Sequence, residues 1–403
     1  LKILVQKFGG TSVATRETRL KAVEHIEDAL AKDFHVVVVV SAMGRRGDPY
    51  ATDTLLNVVD ASDPVAPRDL DILMSCGEAI SAVVFASQLR SRGHQVTVLS
   101  GGQAGIRTNA QHGNARILEI RPKRILDALQ EGHIVVVMGF QGESPEGDIT
   151  TLGRGGSDTT ATALGVALNA EYVDIFTDVE GIMTADPRIV EDARMIHRVT
   201  YTEICNLAYQ GAKVIHPRAV EIAMQKNIPI RVRSTQSKDE GTLVTNAWTV
   251  LESSVLQDRY VTGVTQTANI TQIQVEGEGV GRLNIFDLMA EHGISVDFIS
   301  VSPDRIAYTV ADADADRAVS LLREQGLEPR IRPDCAKVSV VGTYTGMPGI
   351  MARIVEALSS EGISILQSAD SHNTIWCLVR RSEMEAAVRA LHSKFGLGEA
   401  NRD

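Results

Sequence analysis

The sequence is poor in cysteine: Cys76, Cys205, Cys335 and Cys377 are the only four in 403 residues. They are far apart, show no CxxC spacing and lie in mostly apolar stretches. This excludes a disulfide framework, gives a zinc site no support and reads as reduced core thiols of a cytosolic protein. Positive charge is in deficit too. Forty Lys plus Arg stand against 51 Asp plus Glu, a net charge of −11 that suits neither a polyphosphate backbone nor an anionic membrane surface. Long apolar runs are missing: residues 36–40 and 134–138 are the longest aliphatic runs, whereas a bilayer span needs about 20 residues. No basic segment followed by an apolar stretch opens the chain, so secretion is not expected; residue 1 is Leu, so the natural start can differ from this numbering. With 44% hydrophobic and 23% charged residues, the chain is expected to fold as two or three soluble domains.

The apolar residues that are present fall into an alternating rhythm over the first 235 positions. Strand-like residues 3–6 are followed by Leu20, Val23, Ile26 and Leu30 at helical spacing and then by the run 36–40, with further strands expected at 96–99, 134–140, 172–177 and 230–232. This predicts an α/β domain over 1–246, with a mostly parallel sheet and helices on both faces. Around 236–259 the periodicity fades into a short terminal strand and a linker, placed at 247–260. Beyond it the chain repeats itself. Gly293, Ile294 and Ser295 recur as Gly362, Ile363 and Ser364, an offset of 69 residues that also carries Ile306, Val310, Ala318, Val319 and Leu322 onto Ile375, Val379, Ala387, Val388 and Leu391. Each unit of about 65 residues reads as a ferredoxin-like βαββαβ fold. The units are placed at 261–334 and 335–403, with the strand 260–266 a candidate member of the second.

Four charges stand without local company. Lys7 is the only charged side chain between Ile3 and Thr15, Glu78 the only one between Ile72 and Leu89, and Lys213 is alone between Glu203 and Arg218. In "GRGGSD" at 153–158, Arg154 and Asp158 flank two glycines ahead of an uncharged helix that should run to Ala170. Two cations, a Gly-Gly turn and a glycine-rich loop at a helix N-terminus suit a triphosphate, because backbone N–H groups approach an anion closely where no Cβ intervenes. An arginine fork suits a carboxylate and a buried glutamate suits an amine, which together describe an amino-acid pocket beside a nucleotide pocket. Each residue also has a purely structural reading: a lone buried charge as an ion pair, Ser12 and Ser157 as helix caps, His216 as a turn or core histidine. Neither standard nucleotide signature applies, since Asp158 replaces the third glycine of GxGxxG and no GxxxxGK[ST] occurs.

These stretches resemble the aspartate kinases of the amino-acid kinase family along essentially the whole chain. The resemblance rests on "KFGGTSV" at 7–13, "VVSAMG" at 39–44, "SCGEAIS" at 75–81, "TTLGRGGSDTTA" at 150–161, "FTDVEGIMTADPR" at 176–188 and "GAKVIHP" at 211–217. It implies phosphorylation of the side-chain carboxylate of L-aspartate with ATP and Mg2+. Lys7, Asp158 and Lys213 would be catalytic, and Lys7, Gly9, Gly10, Thr177, Asp178, Met183, Arg188 and Lys213 would bind the nucleotide. Ser41, Thr52, Glu78, Arg154, Gly155 and Ser157 would hold aspartate, Glu78 taking its amine and Arg154 a carboxylate. No dedicated metal cage of protein carboxylates is implied. Met183 stands where the family often has tyrosine, and "RRGDPYATD" at 45–53 is a long version of its loop and a candidate lid.

By the same resemblance the C-terminal repeat is a pair of ACT domains. It would bind an end-product amino acid (lysine, threonine or meso-diaminopimelate) through Asp297, Gln367 and Ser368, in a homodimer. A glutamate-type amino-acid kinase and a non-catalytic amino-acid sensor are the rival readings. The tandem repeat argues against the first, and the presence of Lys7, Arg154, Asp158 and Lys213 against the second.

Overall fold

The structure, a computed structural model, describes residues 1–60, 62–246, 260–277, 284–343 and 348–398. Two compact units emerge. The first takes Leu1–Ile182, Met195–Ala208 and the described residues from Lys213 to 246; the second takes Met183–Arg194, Tyr209–Ala212 and the described residues from 260 onward. Two short segments of the expected 1–246 domain thus belong to the second unit, and the linker expected at 247–260 lies, up to 259, outside the described residues.

The first unit is built on an eight-stranded sheet in the order Arg198–Thr200, Thr242–Thr245, Ile230–Ser234, Tyr172–Thr177, Ile3–Phe8, His35–Val40, Ile134–Met138, Val96–Leu99. All neighbours are parallel except Ile230–Ser234 with Thr242–Thr245. Five consecutive buried valines in His35–Val40 reflect burial on both faces, which parallel strands require. Leu4, Phe8, Val36, Val38 and Val40 share one face and pack on Val23, Ile26, Phe85 and Leu89 of the helices Arg16–Leu30 and Pro67–Ser91. Period-2 alternation then turns Lys7 to the other face, with Ile3 and Val5, toward the helix Gly156–Ala167. A smaller four-stranded sheet joins Ile117–Ile120, Ile106–Thr108, Gln141–Glu143 and Ile149–Thr151.

Some element ends differ from the sequence reading. The strand expected over 134–140 stops at Met138, because Phe140 adopts φ +71°, and the helix expected to reach Ala170 stops at Ala167, just before Asn169 at φ +49°. Pro67–Ser91, at 25 residues, is long and apolar enough to cross a bilayer, which the short aliphatic runs did not suggest. Its inward side carries Asp71, Ser75, Glu78 and Ser81, all buried in the first unit, so it packs as a core helix. Of the four free cysteines, Cys335 and Cys377 are core thiols as expected, while Cys76 is exposed and Cys205 half-buried.

The second unit holds a six-stranded antiparallel sheet, ordered Asp297–Ser302, Arg305–Ala311, Val261–Glu276, Arg330–Gly342, Thr374–Arg380, Gln367–Asp370. The two central strands are long and each serves both repeats. Ile270–Glu276 pairs with Arg305–Ala311, whereas Val261–Thr267 pairs with the part of Arg330–Gly342 that also carries Thr374–Arg380, and a bulge separates the halves between Thr267 and Ile270. The 69-residue offset is a core register: Ile285, Met289, Ile294, Ile306, Val310, Ala318, Val319 and Leu322 fill one cluster, and Ile354, Leu358, Ile363, Ile375, Val379, Ala387, Val388 and Leu391 fill the other. Ala185 and Val190 of Met183–Arg194 complete the second cluster.

Candidate active site

Parallel strands all deliver their carboxyl ends to one edge of a sheet, where ligands of such sheets bind. At that edge of the first unit lies a cavity of about 520 Å3 whose lining includes Lys7, Gly10, Ser41, Thr52, Glu78, Arg154, Gly155, Ser157 and Asp158. All six residues expected to hold aspartate therefore meet around one space, together with two of the three expected catalytic groups.

Lys7 Nζ lies 2.7 Å from Asp158 Oδ1, both side chains about one-eighth exposed. Asp158 stands in the first turn of Gly156–Ala167, where the positive end of the helix dipole favours a carboxylate. That helix opens on Gly155 at φ +68°; a Cβ there would come within 2.3 Å of His216 Cβ, so both conformation and space demand glycine. Gly10 is equally confined, its Cβ position being 2.4 Å from Gly44 O. Gly9 is not, having only Lys7 Nζ and Phe176 O at 3.5 Å, and its N–H already donates to Phe176 O at 3.3 Å. The expectation that both glycines offer free N–H groups to phosphate is thus not met at Gly9 in this conformation.

Glu78 is 2% exposed, and its Oε1 accepts from Ala42 N at 3.0 Å while Oε2 is buried without a hydrogen-bond partner among the described residues. Burial pushes this carboxyl up to about 8, against an ordinary 4.5. Seven residues earlier on the same helix face is a residue the sequence reading missed. Asp71 is fully buried and accepts from His112 Nδ1 at 2.7 Å, Gly113 N at 3.0 Å, Thr151 N at 3.1 Å and Thr151 Oγ1 at 2.5 Å. Gly113 lines the cavity, and Thr151 ends the strand leading into the Arg154 loop, so Asp71 holds two walls of the site to the helix that carries Glu78. Its signal in the sequence was masked by the neighbouring charges Arg68 and Asp69.

The residues expected at the nucleotide are more dispersed. Thr177 ends the strand Tyr172–Thr177 and Asp178 follows it; Thr177 Oγ1 donates to Asp178 Oδ1 at 3.2 Å and Asp178 forms an ion pair with Arg45, itself part of the cavity lining. Lys213 is exposed on a turn of the first unit, outside that lining. Met183 and Arg188 belong to the second unit, where Arg188 is paired with Asp186 at 2.7 Å. Among the described residues no group of three or more His, Cys, Asp or Glu stands close enough to hold a metal ion.

Of the expected effector residues, Asp297 forms an ion pair with the buried Lys337, and Gln367 accepts from Gln272 Nε2 at 2.7 Å and donates to Phe298 O at 2.8 Å. Ser368 is an exposed residue of the edge strand Gln367–Asp370.

A family profile described as the amino acid kinase family matches residues 2–234, and one described as an ACT domain matches 330–393. The chain belongs to the amino acid kinase family. Within it, Aspartokinase 1 of Bacillus subtilis (strain 168) is 53% identical over 405 residues, covering 99% of this chain and all of that relative. Among solved structures, aspartokinase III of E. coli in complex with aspartate and ADP (R-state) matches with a TM-score of 0.78 at 27% identity, over 97% of this chain and 99% of that one. The same enzyme in complex with lysine and aspartate (T-state) matches at 0.77 and 28% identity, over 98% of this chain and all of that one. Similarity of this extent places the chain among the aspartokinases, the ATP-dependent aspartate kinases of the family.

Proposed function

We propose that the cavity at Lys7 binds L-aspartate with its side-chain carboxylate facing the γ-phosphate of MgATP, giving 4-phospho-L-aspartate and ADP. The observation that carries this reading is the convergence of Lys7, Asp158, Glu78 and Arg154 on one 520 Å3 space. A side-chain carboxylate with an ordinary pKa near about 4 is already a nucleophile at neutral pH and needs no general base. One of its oxygens attacks the γ-phosphorus in line, the bond to the β–γ bridging oxygen breaks, and the electron pair leaves with ADP. Lys7 neutralises charge on the transferring group, Asp158 fixes the ammonium, Arg154 anchors a carboxylate and Glu78 accepts from the α-amine, with Ser41, Thr52 and Ser157 bounding the acceptor. Gly10 opens the approach to the phosphates, and Thr177, Asp178 and Lys213 serve the nucleotide. Catalysis is then positioning and charge neutralisation. With no group of three or more potential metal ligands among the described residues, the site fits a Mg2+ that keeps its water and phosphate ligands rather than a caged ion, and when bound the ion would neutralise charge on the phosphates.

The second unit would report end-product amino acid through Asp297, Gln367 and Ser368, in a cytoplasmic homodimer. Support for self-assembly comes from Ile299 and Val301, both about half exposed on the edge strand Asp297–Ser302. ADP release measured with aspartate, with glutamate and without acceptor tests the catalytic reading: aspartate alone should support turnover, and equal release without it would defeat the assignment. Titrating lysine, threonine and meso-diaminopimelate against Gln367→Ala tests the effector site, which requires weaker inhibition at unchanged basal turnover.

A further inference from the structure

One hollow in the second unit shares no lining residue with the kinase cavity and includes none of Asp297, Gln367 and Ser368. It measures about 960 Å3, within the size range of small-molecule sites, and its charged lining is Arg332, Arg380, Arg381, Arg389, Asp334 and Glu385. It opens where both central strands lose regularity: Ala268 lies inside the bulge between Thr267 and Ile270, and Asp334, in the next irregular stretch where the facing strand passes from Cys335 to Arg332, adopts φ +53°. In a chain of net charge −11, four arginines around one hollow are a local reversal of sign.

These guanidiniums are not consumed by internal ion pairs. Arg389 reaches Glu385 only at 3.6 Å and Arg332 donates to the neutral Gln272 Oε1 at 3.3 Å, while Arg380 and Arg381 have no side-chain partner among the described residues. With Asp334 and Glu385 offset, the lining keeps about two positive charges. That matches a phosphate monoester, which carries about −1.5 to −2 at pH 7 and is gripped by planar guanidinium forks. The two carboxylates would accept from hydroxyl or amino groups on the rest of the ligand.

We propose that this hollow is a second ligand site, specific for a phosphate-bearing small molecule and separate from the kinase cavity. The probe is inorganic phosphate, titrated calorimetrically into the full-length enzyme with its catalytic site saturated by ADP and aspartate. Saturable binding is expected, weakened at least tenfold in Arg380→Ser/Arg381→Ser and strengthened in Glu385→Gln, which removes a repelling carboxylate. Kinase activity without added phosphate should stay within twofold of the parent, which also shows that the variants fold. Absence of binding to the filled enzyme, equal binding by the double serine variant, or tighter binding of citrate than of phosphate would each overturn the proposal.

Discussion

Lys7 and Asp158 form a 2.7 Å ion pair between the end of a central parallel strand and the first turn of a helix. The strand delivers the ammonium to the ligand edge of the sheet, and the carboxylate keeps it there before any anion arrives. Lys7→Ala should therefore leave the fold intact and lower turnover by at least about a hundredfold, the usual scale for losing a preorganised charge at a developing transition state. Steady-state kinetics with circular dichroism checks this; near-normal turnover would remove Lys7 from the mechanism.

Glu78 gives a pH-dependent expectation. Its folded pKa is about 8, raised by burial from 4.5, so the unfolded chain loses this proton above about 4.5 while the free enzyme keeps it to about 8. The stability associated with the buried neutral acid is complete below the lower value and drains away as pH rises through the upper one. Thermal unfolding without ligands should show the parent losing ground to Glu78→Gln between pH 5 and 8. An amine-binding role adds a second signature, because pairing with an ammonium requires the carboxylate. Aspartate binding at pH 7 should release up to one proton, seen as a buffer-dependent heat in calorimetry. A heat independent of buffer would detach Glu78 from the amine.

Asp71 acts on the site at one remove. Asp71→Asn presents an NH2 or a single oxygen to donors that now share two acceptors, and should cost about 2–4 kcal/mol of stability. If the residue positions Gly113 and the approach to Arg154, the KM for aspartate should rise at least about fivefold at constant KM for ATP. A stability loss with both constants unchanged would reduce it to a core group.

An ionised group inside an apolar element must be partnered or functional, and of the charges that stood alone in the sequence Lys7, Glu78, Arg154 and Asp158 line one cavity whereas Lys213 is exposed outside it. Asp174 obeyed the same logic unnoticed: the only charged residue of Tyr172–Thr177, it is fully buried and paired with Arg231 at 2.6 Å and Arg233 at 3.4 Å from the neighbouring strand. Asp71 was illegible for the opposite reason, sitting in a charged helix start where only the seven-residue spacing to Glu78 marks the inward face. The repeat was legible as an offset of 69 because equivalent core positions keep equivalent volumes. The joining of Met183–Arg194 to the second unit was not, since its apolar Ala185 and Val190 serve contacts far away in sequence. Thr177, Asp178, Met183 and Arg188 came from resemblance rather than from charge pattern, and none of the four lines the cavity.

The adjacent glycines of the first loop should separate packing from function. A methyl group at Gly10 would sit 2.4 Å from Gly44 O and 2.9 Å from Ala42 O, both backbone atoms that cannot swing aside. Gly10→Ala should thus destabilise the fold by about 3 kcal/mol and lower the melting temperature accordingly. At Gly9 the same methyl meets nothing closer than 3.5 Å, and the residue is extended, so Gly9→Ala should melt close to the parent. One of those 3.5 Å neighbours is Lys7 Nζ, the group assigned to the phosphates, so the added methyl intrudes where the anion must approach. Gly9→Ala should accordingly raise the KM for ATP or depress kcat by tenfold or more without a loss of melting temperature. Parent-like kinetics at Gly9 would mean that the phosphates do not pass over this turn, and the assignment of the loop to the nucleotide would fall with it.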